Sequence, residues 1–196
     1  MTRAARRAAG AAALTLALAL TAAACRGSSD DSGEPSAAPS ATPTEPPVET
    51  LVTIGKVTGD LPAAARDKLA TEITAVVDGW TEAAYVGGEY PRRDFADSWP
   101  GFTAGAADLA RRDRALMSNE DIGEQIDGAV TRRSRVRLDV LAVKKQPVGV
   151  TARVLFTFET TGEVERAVRV QGRLYLSRTA DGWQVFGYDM TKGAAL

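Results

Sequence analysis

Residues 130–190 read VTRRSRVRLDVLAVKKQPVGVTARVLFTFETTGEVERAVRVQGRLYLSRTADGWQVFGYDM, and their period of two decides the fold. In the first run Val136, Leu138, Val140 and Ala142 alternate with Arg133, Arg135, Arg137 and Asp139. Gln146-Pro147 is expected to break it. In residues 149–161 Val150, Ala152, Val154, Phe156 and Phe158 alternate with Thr151, Arg153, Thr157 and Glu159. In residues 165–178 Val168, Val170, Leu174 and Leu176 alternate with Arg169, Gln171, Arg173 and Ser177. Ala180-Asp181-Gly182 is a hairpin signal, and residues 183–190 make the last strand. Short turns between consecutive strands imply an antiparallel sheet, buried on one face and wet on the other.

Upstream of the sheet the period changes. From Leu61 to Val86 the residues Leu69, Ile73, Val76, Val77, Trp80 and Ala84 recur at three- and four-residue steps. Asp60 is placed as the N-cap with Pro62 in the first turn, and Gly87-Gly88 as the stop. A short helix is expected around Arg92–Asp97, then a turn at Trp99-Pro100-Gly101. Thr103 caps a second helix, Ala104 to Met117, burying Ala106, Leu109, Ala110, Leu116 and Met117. Ser118 to Gly128 reads as a turn with a short helix carrying Ile122 and Ile126. Residues 51–59 read as a strand or an extended lead-in. Helices followed by strands make the fold class α+β: N-terminal helices on one face of a curved antiparallel sheet of about four strands.

A long helix, shorter helices and then long antiparallel strands resemble the nuclear transport factor 2-like (cystatin-like) superfamily. The closing Asp181-Gly182-Trp183-Gln184-Val185 with Gly187-Tyr188 is similar to the last hairpin of many members. The resemblance covers residues 61–190 and implies a conical pocket between sheet and helix. Some members are isomerases or dehydratases, others bind ligands or partners, so fold alone does not choose.

The first 50 residues are of a different character. Arg3, Arg6 and Arg7 precede an uncharged run, Ala8 to Ala24, in which Leu14, Leu16, Leu18 and Leu20 carry the hydrophobicity. That is the layout of a secretory signal peptide, residues 1–24. Ala22-Ala23-Ala24-Cys25 resembles the bacterial lipobox, although the family commonly has leucine where Ala22 stands. The resemblance implies cleavage before Cys25 and acyl chains of the palmitate class on its thiol. Two chains anchor stably at roughly 0.8 kcal/mol per buried methylene. The same small residues also suit an ordinary signal peptidase, which would release a soluble protein. Residues 25–50, rich in Pro, Ser, Thr and Ala, bury too little apolar surface to fold and read as a disordered linker. Residues 51–196 form the domain. The expected location is the extracytoplasmic face of the cell membrane.

Charge and composition exclude several chemistries. The net charge of −1 hides three basic residues and no acid in 1–24, one basic and five acidic in 25–50, and a neutral domain. A neutral exported domain does not seek nucleic acid. With no histidine, the Ser-His-Asp and Cys-His arrangements are absent, and zinc, copper and haem lose their usual ligands. Cys25, the single cysteine, is assigned to lipid. Residues 119–128 lack the spacing of a calcium loop, and no phosphate loop is present. No cofactor or metal is expected.

What remains is Asp, Glu, Tyr, Arg and Lys. An isomerase-like site needs a carboxylate base and a tyrosine in an apolar pocket. The candidate lining is Tyr85, Tyr90, Asp97, Trp99 and Tyr188. Separately, the alternation puts Arg133, Arg135, Arg137, Arg153, Arg169 and Arg173 on the face away from the helices. That basic platform suits anionic lipid headgroups, an acidic wall polymer or an acidic partner, or it is an ordinary solvated face. The expected function is a lipid-anchored, non-catalytic accessory module, binding a small apolar ligand, an envelope protein or an anionic polymer. An isomerase or dehydratase using Asp and Tyr is the alternative.

Overall fold

The computed structural model describes residues 47–195. The expected signal peptide, Cys25 and the expected linker as far as residue 46 lie outside the described residues. The elements are β1 (Leu51–Thr58), α1 (Ala63–Thr81) continued by a π-helical turn (Glu82–Val86), α2 (Ala104–Arg112), α3 (Arg114–Met117), β2 (Ile126–Val143), β3 (Gln146–Gly162), β4 (Arg166–Thr179) and β5 (Gly182–Ala194). The chain is therefore α+β, and its sheet is open, in the order β1-β2-β3-β4-β5.

The sheet has five strands rather than about four. Residues 51–58 are the extra one: they lie parallel to β2, from Leu51 opposite Arg135 to Thr58 opposite Leu141. The helices make the crossover that a parallel pair requires. The ladder slips between Ile54 and Val57, where the Lys56 N–H donates instead to the Asp139 carboxylate at 3.0 Å. The other three pairings are antiparallel.

The β2–β3 turn is Lys144-Lys145, both at positive φ (50° and 63°), as a two-residue hairpin of primed type demands. The break expected at Gln146-Pro147 does not occur. Gln146 pairs with Val143 and Pro147 with Ala142. Pairing to β4 begins only at Gly149, so the proline sits where β3 has a single neighbour and its missing donor is tolerated.

α1 starts later than Asp60, with extended Pro62 as its N-cap; the Pro62 carbonyl accepts from Ala65 and Arg66. Its stripe Leu69, Ile73, Val77, Trp80 is buried. In the wider turn that follows, Gly87 N–H donates to the Glu82 carbonyl, five residues back, and Ala84 and Tyr85 are both fully buried. No helix forms over residues 92–97. The Arg92 side chain instead donates to the carbonyls of Asp94, Ala83 and Gly87 and lies over the Phe95 ring, holding the segment against the end of the long helix.

The second helix is broken at Asp113 (φ −96°, ψ 27°) into α2 and α3, and Thr103 caps α2 by accepting from Ala106 N–H. Ala106, Ala107 and Ala110 form its buried stripe, and Leu109, at the flank, is exposed. Small residues let the helix lie close on the sheet. Residues 120–124 are turns, with Ile122 buried, and Ile126 opens β2 instead of ending a helix.

The core fills the space between α1 and the inner sheet face. Trp80, Tyr85, Phe102, Phe156 and Phe158 stack with ring centroids 5.5–6.0 Å apart. Around them lie Leu138 and Val136 of β2, Val154 of β3, and Val170 and Leu174 of β4, all nearly inaccessible.

Candidate functional site

The outer face of the sheet carries the charge. Alternation sends every second side chain of a strand to one face, and strands lie about 4.8 Å apart. One row across the five strands is Thr53, Arg137, Arg153, Arg173 and Asp189, each opposite the next. The row beside it is Leu51, Arg135, Leu155, Gln171 and Thr191. The third holds Arg133, Thr157, Arg169 and Gly193. Regular pairing from Arg133 to Arg135 keeps the two in phase, and the bulge between Thr131 and Arg133 ends that phase, setting Thr131 opposite the buried Phe158. Arg133, Arg135, Arg137, Arg153, Arg169 and Arg173 thus share one face.

Arg137, Arg153 and Arg173 stand directly opposite one another on three adjacent strands. Like charges so placed repel. Two carboxylates moderate this: Asp139 meets Arg153 at 2.8 Å and Asp189 meets Arg173 at 3.6 Å. The Lys56 backbone N–H, and next the Arg153 guanidinium, hold the Asp139 carboxyl below its ordinary pKa. The arginine partners are about half exposed, and such pairs contribute ~0–1 kcal/mol each. The acids therefore soften the row without neutralising it. A site of this make-up attracts anions, and guanidinium forks suit carboxylate and phosphate oxygens.

The five pocket candidates are arranged differently. Tyr85 is fully buried in the core, and its hydroxyl donates to the Leu116 carbonyl at 2.7 Å. Burial, and then the Asp121 charge, raise its pKa. Tyr90 donates to the Tyr85 carbonyl at 2.9 Å and is likewise raised, chiefly by burial. Tyr188 donates to Asp113 at 2.7 Å; burial and that carboxylate push it up. Trp99 is buried beneath the Arg111 guanidinium, 5.5 Å from its ring, and Asp97 is exposed in a turn. Tyr85 and Tyr90 are brought together, but each of the three tyrosine hydroxyls is committed to a carbonyl or carboxylate of the fold.

Among the described residues no carboxylate is buried; the buried polar side chains are Thr81, Ser98, Ser118, Asn119, Ser134 and Thr160. No group of His, Cys, Asp and Glu there is placed to hold a metal, and no helix there is long and apolar enough to cross a membrane. A cleft of about 630 Å³ lies between residues 48–50, α1 and β2, and its lining includes Asp78 and Glu82. Its sign is opposite to that of the arginine face.

Two features escaped the sequence reading. Lys192 is half-buried as a residue, but its side chain is largely covered and donates to the carbonyls of Ala115 and Ser118 and to Asp121, at 2.7–2.9 Å. Its signal is the inward phase of β5, Met190 then Lys192, which was hidden by ending that strand at residue 190. The second is the exposed Phe186 beside Tyr175, ring centroids 6.4 Å apart on the outer face. Comparisons with protein-family models, with curated proteins and with solved structures find no match to this chain.

Proposed function

We propose that this chain is an exported envelope lipoprotein, cleaved before Cys25 and anchored by lipid there, whose domain is a non-catalytic module that binds an anionic envelope partner through the outer face of its sheet. The observation that carries this reading is the in-register row Arg137, Arg153, Arg173. A merely solvated face gains nothing by setting three guanidiniums opposite one another, whereas an anionic ligand converts that repulsion into affinity. The nuclear transport factor 2-like assignment belongs to the same proposal. Four consecutive antiparallel strands backed by the long α1 support it.

The commitment of all three tyrosine hydroxyls to groups of the fold, with no buried carboxylate among the described residues, favours an interaction module over an isomerase or dehydratase. The test is binding of an anionic polymer across a salt series. Charge reversal, Arg135→Glu with Arg173→Glu, is expected to weaken binding tenfold or more and to flatten its salt dependence. Unchanged binding by this variant defeats the proposal. For the anchor, mass spectrometry of protein recovered from membranes is expected to find a diacylated Cys25 as the first residue. A bare Cys25, or an intact Met1, removes it.

A further inference from the structure

One row nearer the β2–β3 hairpin, the outer face opens into a groove of about 330 Å³. Asp139, Thr151 and Tyr175 stand opposite one another along it, and Leu141 and Gly149 form the next row. The groove crosses the strands from Lys56 on β1 to Phe186 on β5. Two of its apolar side chains are half open to solvent, Leu141 (49%) and Phe186 (56%), and Phe186 leans toward the Tyr175 ring.

Gly149 forms part of the groove wall. Its backbone is not in the left-handed region, and a Cβ built there meets nothing nearer than the Leu176 carbonyl oxygen at 4.0 Å. Neither conformation nor crowding requires glycine at this position. Gly149 borders a bulge, the ladder passing from Leu141–Gly149 to Ala142–Pro147 with Val148 between, and a glycine beside such a bend leaves the groove wall open to a close approach.

Asp139 is the polar fixture of the groove. Lys56 N–H at 3.0 Å and Arg153 at 2.8 Å fix its carboxylate in place. A fixed carboxylate accepts from hydroxyls and repels anions. It also disfavours an acyl chain, whose methylenes do not offset its loss of water.

We infer that this groove is a saccharide subsite, and that the ligand of the arginine face is an acidic glycan. The apolar C–H face of a sugar ring lies against Tyr175 and Phe186, in the space Gly149 leaves open. Its hydroxyls donate to Asp139 and meet Thr151. Acidic substituents reach Arg137, Arg153 and Arg173 one row away, about 7 Å along the strands. This rests on the arginine-face reading and adds the chemical class of the polymer.

The experiment compares binding of the full chain to polygalacturonate, to polyglutamate of matched charge, and to phosphatidylglycerol vesicles. Polygalacturonate is expected to bind at least tenfold more tightly than polyglutamate. Gly149→Val fills the groove with a better strand former. It, and Phe186→Ser, should erase that preference while leaving polyglutamate binding unchanged. Equal binding of the two polymers overturns the saccharide subsite and leaves the arginine face standing. Vesicle binding without polygalacturonate binding overturns it in favour of a lipid headgroup. Binding of none of the three overturns both readings; a Gly149→Val variant that keeps the full preference overturns the subsite alone.

Discussion

At the residue scale the tyrosines show how the fold uses groups that a sequence offers to chemistry. Tyr85 ionises near the ordinary tyrosine value of about 10 when unfolded, but burial, and then Asp121, hold its proton on in the folded chain. Its contribution is fully present below that value and is lost as pH rises through the higher folded value. Tyr85→Phe should therefore cost ~1–3 kcal/mol at neutral pH, by leaving the Leu116 carbonyl unpaired, and should flatten the alkaline decline in stability. Thermal denaturation between neutral pH and about pH 11 measures both. A slope unchanged by the substitution places the alkaline transition on other groups. Lys192→Met removes three donors from under the residue 115–121 turn, leaving two carbonyls unpaired and Asp121 with Arg166 at 3.8 Å as its cation. A loss of ~2–4 kcal/mol is expected by denaturant titration. Residue types were readable in advance. Tyr85 and Tyr188 were legible as tyrosines near a helix end and a last strand, but their partners, Leu116 and Asp113, lie on a helix pair whose break no spacing announces.

At the element scale, the strands with strict alternation were legible and the irregular ones were not. β2, β3 and β4 place their arginines as their period of two requires, because a strand buried on one face fixes its phase. β5 does not keep phase. Trp183 and Val185 face in, Phe186 faces out, and Tyr188 and Met190 face in again, because the ladder slips between Tyr175 and Leu176. A reader of WQVFGYDM has no cue to that bulge, so the aromatic pair of the groove stayed hidden. The β2–β3 turn was missed for a related reason: proline was read as the breaker, while the positive φ angles belong to two lysines. That conformation is strained for lysine and natural for Asn-Gly. Replacing the pair, Lys144→Asn with Lys145→Gly, should add ~1 kcal/mol and raise Tm by about 2–4 °C, read by calorimetry. The lost Lys145–Asp60 pair is exposed and contributes little. A lower Tm contradicts the turn assignment.

At the scale of the whole molecule, β1 is the element that local reasoning places least well. Its partner, β2, lies more than seventy residues downstream, and parallel pairing leaves no hairpin signal between them. Without it, residues 135–141 of β2 become a free edge beside a wet, aromatic-bearing face. A chain beginning at Gly59 is expected to self-associate through that edge, seen as a dimer or larger species by light scattering, where the full chain is smaller. A monomeric truncation contradicts the role assigned to β1. The arginine face follows from strand phase alone, whereas the groove needed the register of all five strands, which is why the first was anticipated and the second was not.

The same strand has a mechanical consequence. Leu51 opens β1 opposite Arg135, so the chain preceding it arrives beside the arginine rows and continues directly into the ladder with β2. Tension coming through that chain, with the sheet gripped on its outer surface, is carried lengthwise by a parallel strand pair. The bonds of the pair are then loaded together in shear instead of being peeled apart singly from one end, so the edge strand doubles as a strain-bearing splice.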